Sequence, residues 1–336
     1  MDVRDGFIGE RSATPRSSGS RALPEQDVQS RFPEGEGIAD ARLAAGVGDA
    51  AARLMRSTSA RCYTPVPVAA FTHPAGVPTM EAYRAALRSE EFVRMETFSD
   101  AFLARHRAHL LYYGLRWTHD PLHDPTRQWE YPFTLERLRA AEPMRVLDAG
   151  SGVTFFPYYL QNELEGCRVT CCDYDRYAAS RYPLLNRGEA GAPVVFERGD
   201  LRELPFEAGS FDAIYTISVL EHTNDYAAVL DEFHRVLRPA GTLIVTFDVS
   251  LDGHKDIPVP AARELLELLA SRFAVKDSPA LSPDEAVYTS DQGDFCVPAR
   301  PLWDGYRRAV RLGKALVGKR VVPSAMTFYC GEYARL

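Results

Sequence analysis

Three carboxylates and two glycines are spaced as a nucleotide-like ligand would need them. Asp148, Gly150, Ser151 and Gly152 lie in VLDAGSGV, just after an apolar run and just before the aromatic-rich FFPYYL. Glycine admits positive φ and has no Cβ, so a turn on Gly150 and Gly152 can bring main-chain N–H groups against a ligand. Asp173, in CCDYD, follows where a carboxylate can accept both hydroxyls of a ribose in a bidentate hydrogen bond; Asp175 is its neighbouring rival. Asp200, in FERGDL, is a third acid, able to accept from an exocyclic amine such as that of adenine. A G-x-G pair alone need only make a tight turn. The two later acids are what turn that reading into a ligand groove.

These residues converge only if they stand at the ends of neighbouring strands. MRVLDAG reads as a buried strand, FFPYYLQNEL as a helix, CRVTCCDYD and PVVFERGDL as the next two strands, and FDAIYTISVLEH as a fourth. A helix over DYAAVLDEFHRVLRP and a fifth strand over AGTLIVTFDVS follow. A helix from Ala261 to Arg272, a strand from Phe273 to Ser278 and a last strand from Met326 to Tyr333 complete the order. Alternating strands and helices imply parallel pairing through right-handed crossovers, hence an open doubly wound sheet whose strand ends hold the ligand.

The rest of the chain divides by composition. Residues 1–61, rich in Arg, Ser, Gly, Pro and acids, read as a flexible leader with one short helical pattern from Ile38 to Met55. Residues 62–140 read as an N-terminal helical cap, with Tyr83, Leu87, Phe92, Met95, Phe98, Phe102, Leu103, Leu110 and Leu111 at helical spacing. Residues 141–336 form the core, with an insertion at about 279–325. A net charge of −7 argues against sequence-independent contact with nucleic acid, which needs a surplus of Lys and Arg. The six cysteines contain no C-x-x-C pair and read as free, mostly buried thiols. No apolar run is long enough to span a bilayer, and the acid-bearing start fits neither a secretory signal nor a transit peptide. The expected compartment is the cytoplasm.

The succession D-x-G-x-G, a later acid, G-D-L-x-x-L-P-F, F-D, S-V-L-E-H and R-V-L-R-P resembles the class I S-adenosylmethionine-dependent methyltransferases, and within them methyltransferase type 11. The resemblance is plain from Arg145 to Asp248 and weaker beyond. It implies a Rossmann-like, mostly parallel seven-stranded α/β sheet with the last strand antiparallel, and S-adenosylmethionine as cofactor. It places Asp148, Gly150, Ser151 and Gly152 beside the methionine portion, Asp173 on the ribose and Tyr174 beside the adenine ring. Asp200 and Leu201 fall on the adenine edge, and Ser218 lines the floor. Two departures stand out: Thr154 replaces the usual third glycine, and RPGG becomes Arg238-Pro239-Ala240-Gly241. Phe155 stands where a dinucleotide fold would want glycine, so a pyrophosphate-bearing ligand is disfavoured.

The implied reaction is methyl transfer to an oxygen, nitrogen or carbon of a small molecule, in a biosynthetic role. The alternatives are a noncatalytic cofactor-binding member of the fold and an NAD-dependent oxidoreductase. Glu221 and His222, just past the fourth strand, are the candidates for a general base, which helps when the acceptor is a hydroxyl or a protonated amine. In RQWEYPF, Glu130 or Tyr131 can approach the methionine end with Trp129 stacking; equally, the segment is a packing hinge redirected by Pro132. His119, Asp120, His123 and Asp124 cluster in THDPLHDPT, but Asp-Pro pairs open turns and no bound metal is expected. A helix over residues 303–317 would gather Arg307, Arg308, Arg311 and Lys314 on one face, suiting an acidic acceptor, while the aromatic-rich flanks suit a partly aromatic one.

Overall fold

In the computed structural model, the described residues are 71–116, 120–223, 225–254, 256–277 and 325–336, with isolated positions between 281 and 316. The leader expected over 1–61 and the basic residues Arg307, Arg308, Arg311 and Lys314 lie outside them.

Among the described residues, four α-helices precede the sheet: α1 (Met80–Ala86), α2 (Glu90–Arg105), α3 (Arg107–Arg116) and α4 (Arg127–Ala141). Local chemistry starts the first two, since Thr79 accepts from the Ala82 N–H and Ser89 from the Phe92 N–H, each satisfying a donor the helix leaves open. The sheet alternates as its apolar runs require: β1 (Arg145–Ala149), α5 (Phe156–Glu163), β2 (Arg168–Asp173), α6 (Arg176–Asn186), β3 (Val195–Arg198) and β4 (Phe211–Ile217). Then come α7 (Tyr226–Val236), β5 (Leu237–Ser250), β6 (Ile257–Pro258), α8 (Val259–Arg272), β7 (Phe273–Val275) and β8 (Met326–Arg335).

Among the described residues the strand order is β3-β2-β1-β4-β5-β8-β7, the seven strands expected with the last antiparallel, and the two-residue β6 adds a short pairing to β5 off this path. Pairing is parallel from β3 through β5, and β8 runs antiparallel to both β5 and β7. The order reverses between β1 and β4, which makes the turns after these strands the ligand-binding crevice of a doubly wound sheet.

Side-chain alternation sends successive residues to opposite faces. Val146, Tyr215, Ile244 and Phe328 pack with Trp129, Phe133, Phe155, Phe156 and Tyr182 under α4, α5 and α6. Leu147, Ile214, Leu243, Val245 and Tyr329 pack with Val229, Phe233, Leu265 and Leu269 of α7 and α8. Each large side chain fully buried this way contributes about 1.5–3 kcal/mol. Among the described residues, no helix is long and apolar enough to cross a membrane.

Two local expectations differ from what forms. RQWEYPF is no hinge: it opens α4, with Pro132 inside the helix. Trp129 is fully buried, stacked on Tyr83 at 6.2 Å and edge-on to His73 at 4.9 Å, so its indole is core and does not stack on a ligand. Residues 176–186, left unassigned above, form α6, started by Asp175 accepting from the Tyr177 N–H at 2.8 Å.

Candidate functional site

The turn after β1 is shaped by the end of β2. The N–H groups of Gly150 and Ser151 both donate to the Cys172 carbonyl, at 2.8 and 3.2 Å. Gly150 lies at φ +82°, and a Cβ there would stand 2.6 Å from Val219 Cγ1 and Cγ2. Gly152 also takes positive φ, and its N–H donates to Asp173 Oδ2 at 2.8 Å, while the Asp175 N–H donates to Oδ1 at 2.9 Å. The Asp173 carboxyl thus accepts main-chain bonds from Gly152 and Asp175, with the Tyr174 N–H adding to them, at the strand end where it can meet a hydroxyl. Burial raises the Asp173 carboxyl above its usual range, opposed by these backbone donors. Tyr174, beside it, is 70% exposed and offers an open ring face. Asp175, the rival for the ribose, is occupied as the cap of α6.

Beneath the turn, Asp148 is 5% exposed and accepts from the Tyr215 hydroxyl at 2.8 Å. Burial pushes its carboxyl up to about 7, against the Tyr215 bond that lowers it. It supports the turn from below rather than lining the groove. Tyr182 of α6, which the sequence did not single out, donates to the Gly152 carbonyl at 3.1 Å and so supports the same turn from the side. At the end of β3, the exposed Asp200 is held in a two-pronged ion pair, with Arg202 Nε to Oδ1 at 3.0 Å and Nη2 to Oδ2 at 2.6 Å. Leu201 packs against the core of the α7 and α8 face.

A second cluster forms where α4 crosses the ends of β4 and β5. Glu130 is fully buried; its Oε2 accepts from Arg127 Nη1 at 2.5 Å, and its Oε1 from the Ser218 hydroxyl at 2.9 Å and the Thr246 hydroxyl at 2.6 Å. Arg127 Nη1 also donates to the Ser218 hydroxyl and, at 3.2 Å, to Thr126 Oγ1. Ser218 itself sits at φ +47° with its N–H on the Thr246 carbonyl at 3.1 Å. Glu130 therefore has no oxygen turned toward a ligand, and Tyr131, 4% exposed with its ring 4.5 Å from Phe156, is part of the aromatic core.

Glu221 and His222 lie on a single 3-10 turn, Leu220–His222, just beyond Ser218. Asp248 of β5, which sequence reasoning passed over, joins them: Asp248 Oδ1 and Glu221 Oε2 are both buried without a hydrogen-bond partner. Burial pushes Glu221 up to about 8 and Asp248 well above the carboxylate range, with Glu130 adding to both and Arg127 opposing. Desolvation lowers the His222 imidazole, against the pull of Asp256. Burial thus favours the protonated form of both acids.

A pH dependence of stability follows. Glu221 ordinarily ionises near 4.5, so between that value and about 8 the unfolded chain has released a proton that the folded chain keeps. Stability then falls as pH rises across this window, because the folded state binds more protons. Asp248 acts in the same direction; Arg127, Glu130, Asp124, Asp256, Tyr226 and Cys330 are further ionisable groups around the pair. Glu221→Gln is expected to flatten the fall in thermal midpoint between pH 5 and 8. A variant whose midpoint tracks the native protein at every pH would contradict this.

The THDPLHDPT cluster is only partly described, since His119 lies outside the described residues. Asp120 caps a 3-10 turn, Pro121–His123, and His123 places Nδ1 2.7 Å from Asp120 Oδ2 and Nε2 2.9 Å from Glu96 Oε1. Asp100, Asp120 and His123 have ligand atoms within 4.8 Å of one another. Both ring nitrogens of His123 already face carboxylates, so a metal would have to displace these contacts. Asp124, the remaining acid of that cluster, follows the 3-10 turn as its C-cap.

Comparison with known proteins agrees with this geometry. Residues 147–245 match the family described as a methyltransferase domain. The glycine/sarcosine/dimethylglycine N-methyltransferase of Actinopolyspora halophila is 29% identical over 112 residues, 33% of this chain and 20% of the relative. A sterol 24-C-methyltransferase of Debaryomyces hansenii is 31% identical over 132 residues, 37% of this chain and 33% of the relative. A malonyl-[acyl-carrier protein] O-methyltransferase of Laribacter hongkongensis is 38% identical over 117 residues, 33% of this chain and 39% of the relative. The matched part thus spans between a fifth and two fifths of these relatives' lengths. With its glycine turn, its strand-end acid and the reversal of strand order between β1 and β4, the stretch 147–245 matches the methyltransferase-domain family and has the sheet order of its core.

Proposed function

We propose that the protein transfers a methyl group from S-adenosylmethionine to an oxygen, nitrogen or carbon of a small-molecule acceptor, as a step of a biosynthetic pathway. The observation that carries this reading is the Asp173 carboxylate, fixed at the end of β2 beside the glycine turn by the Gly152 and Asp175 N–H groups. That edge suits a ribose diol, and the exposed Tyr174 ring beside it suits a purine face. Gly150, Ser151 and Gly152 would hold the methionine end, with Asp148 and Tyr182 fixing the turn. Ser218 would line the floor, with Glu130 acting on it as a positioning residue through Arg127. Asp200 and Leu201 would meet the adenine edge; opening the exposed Asp200–Arg202 pair costs little, since such pairs contribute about 0–1 kcal/mol.

When bound, the cofactor supplies a methyl group already activated on a sulfonium, so the chain's work is alignment and exclusion of water. Glu221 and His222 stand at the mouth of β4, where a proton leaving the acceptor can be taken. The names of the three relatives specify N-, C- and O-methylation, which supports the reaction class and leaves the acceptor atom to the site. The free thiols Cys167, Cys171, Cys172 and Cys330 suit a reducing compartment such as the cytoplasm.

Calorimetry of the full chain with S-adenosylmethionine, S-adenosylhomocysteine and NAD tests the reading. The first two should bind saturably, and Asp173→Ala should weaken both roughly 100-fold, as loss of two charge-assisted hydrogen bonds implies. Binding of NAD alone, or unchanged affinity in the variant, would refute it.

A further inference from the structure

We infer that Arg202 is a built-in competitor for the carboxylate that reads the cofactor's adenine amine: it occupies Asp200 in the free protein, must be displaced as the purine arrives, and so sets the affinity and selectivity of that end of the groove. This deepens the proposed function and rests on its placing of Asp200 at the adenine edge.

The chain fixes where Asp200 stands. Arg198, the last residue of β3, pairs in register with Asp173, the last of β2. The Gly199 N–H then donates to the Asp173 carbonyl at 3.2 Å, so Asp200 follows one residue beyond a direct bond to the ribose candidate. Gly199 leaves no slack, since a Cβ there would stand 2.7 Å from Pro205 Cδ and 3.0 Å from Cys172 Sγ. Residues 200–203 close a tight turn in which the Glu203 N–H donates to the Asp200 carbonyl at 3.0 Å. That turn brings Arg202 back over the Asp200 carboxylate.

The contact saturates the acid. Oδ1 accepts the Arg202 backbone N–H at 2.9 Å and Nε at 3.0 Å, while Oδ2 accepts Nη2 at 2.6 Å and Nε at 3.2 Å. A carboxylate has about four lone-pair sites, and these contacts take them up. An amine arriving from adenine meets a free acceptor only when the guanidinium leaves. Leaving is simple, because the Arg202 side chain is 52% exposed and can turn into water while the backbone bonds of the turn stay closed.

Two consequences follow for recognition. Arg202 is held two residues from its partner and meets it as a two-pronged fork, the geometry that brings an exposed pair to the upper end of its strength. Protein in that closed form does not take the purine, so apparent affinity falls by the fraction that is open. The second consequence is chemical. Asp200 alone offers acceptors, which suit a 6-amino purine and repel a 6-oxo one. Arg202 adds donors at the same edge, from which a 6-oxo purine can accept. Removing Arg202 therefore tightens the amino form and sharpens discrimination against the oxo form.

The test titrates the full-length protein calorimetrically with S-adenosylhomocysteine and with S-inosylhomocysteine, which carries an oxygen in place of the amine. Arg202→Ala should bind S-adenosylhomocysteine roughly three- to fivefold more tightly than the native chain, the range that an exposed two-pronged pair can supply. Raising NaCl from about 50 to about 500 mM should shrink that gap, because screening loosens the pair in the native chain and the variant has no pair to loosen. S-inosylhomocysteine should gain nothing from the substitution. In an Asp200→Asn background, Arg202→Ala should bring no gain for either ligand. Unchanged or weaker binding of S-adenosylhomocysteine by Arg202→Ala would overturn the inference and leave the proposed function standing. So would an equal gain for both ligands, or a gain that persists beside Asp200→Asn. Failure of the native chain to bind S-adenosylhomocysteine at all would sink both readings.

Discussion

Arg127→Ala should cost about 3–5 kcal/mol of stability, the penalty expected when one partner of a buried ion pair is removed and the other left behind. Glu130 is fully buried, and among the described residues Arg127 Nη1 is the charged donor on its carboxylate, with Ser218 and Thr246 supplying neutral hydroxyls. Removing the guanidinium leaves that charge uncompensated where α4 meets the ends of β4 and β5. Urea unfolding midpoints read the effect, and two companion variants apportion it. Arg127→Ala combined with Glu130→Gln should recover much of the loss, because no charge is then stranded. Arg127→Lys should recover part of the loss, since Glu130, Ser218 and Thr126 are all met by the one nitrogen Nη1 and an ammonium keeps the charge on a side chain of different shape. A loss below about 1 kcal/mol in the single variant would show that this network does not hold the start of α4 on the sheet.

Gly150→Ala should disable the glycine turn. The left-handed φ of +82° alone costs a non-glycine residue about 1–2 kcal/mol, and the new Cβ would lie 2.6 Å from both methyls of Val219. Val219 is β-branched and stiff at χ1, so it cannot swing aside as a long side chain would. The turn must shift instead, which adds about 1–3 kcal/mol of overpacking and moves Gly152 away from Asp173. Cofactor affinity is expected to fall more than 100-fold, with a stability loss of about 2–5 kcal/mol. Combining it with Val219→Ala should restore part of the affinity, because the clash is removed and the dihedral strain stays. Wild-type affinity in the single variant would mean that the turn does not carry the methionine end.

The sequence made the sheet and its first turn legible for a physical reason: β1, β2, β4 and β5 are short apolar runs bounded by turn residues, and glycine and aspartate punctuate their ends. Asp173 could be placed because its role depends on a strand end and a spacing, both one-dimensional. Pro132 misled the reading, since it lies inside a helix that tertiary packing maintains despite the missing N–H, as Pro183 also does in α6. Asp200 looked free because nothing in a strand-end motif reports that Arg202, two residues on, will fold back onto it. Thr246 and Asp248 looked like polar interruptions of an apolar strand. Their meaning appears only when α4, more than 100 residues earlier in the chain, lays Glu130 over them. Ala240 shows the same limit in reverse: replacing the usual glycine looked like a minor change of turn, yet it forces an alanine to φ +59°.

The place of β8 bears on how the chain is made. Its residues pair with β5 from Thr242↔Ala334 to Ser250↔Met326, and its Cys330 exchanges backbone hydrogen bonds with Gly76 at 2.7 and 3.0 Å. A nascent chain that has released everything through β5 therefore presents a long, bare, apolar strand edge. Its proper partner lies some 76 to 92 residues downstream in these pairs. At translation rates of roughly 5–20 residues per second, that edge stays open for several seconds, ample time for strand-to-strand aggregation. Synthesis of this protein should therefore depend on whatever shields β5 on the ribosome more than its finished stability would suggest. Slowing translation between residues 250 and 326 should lower the soluble yield and leave the folded product unchanged.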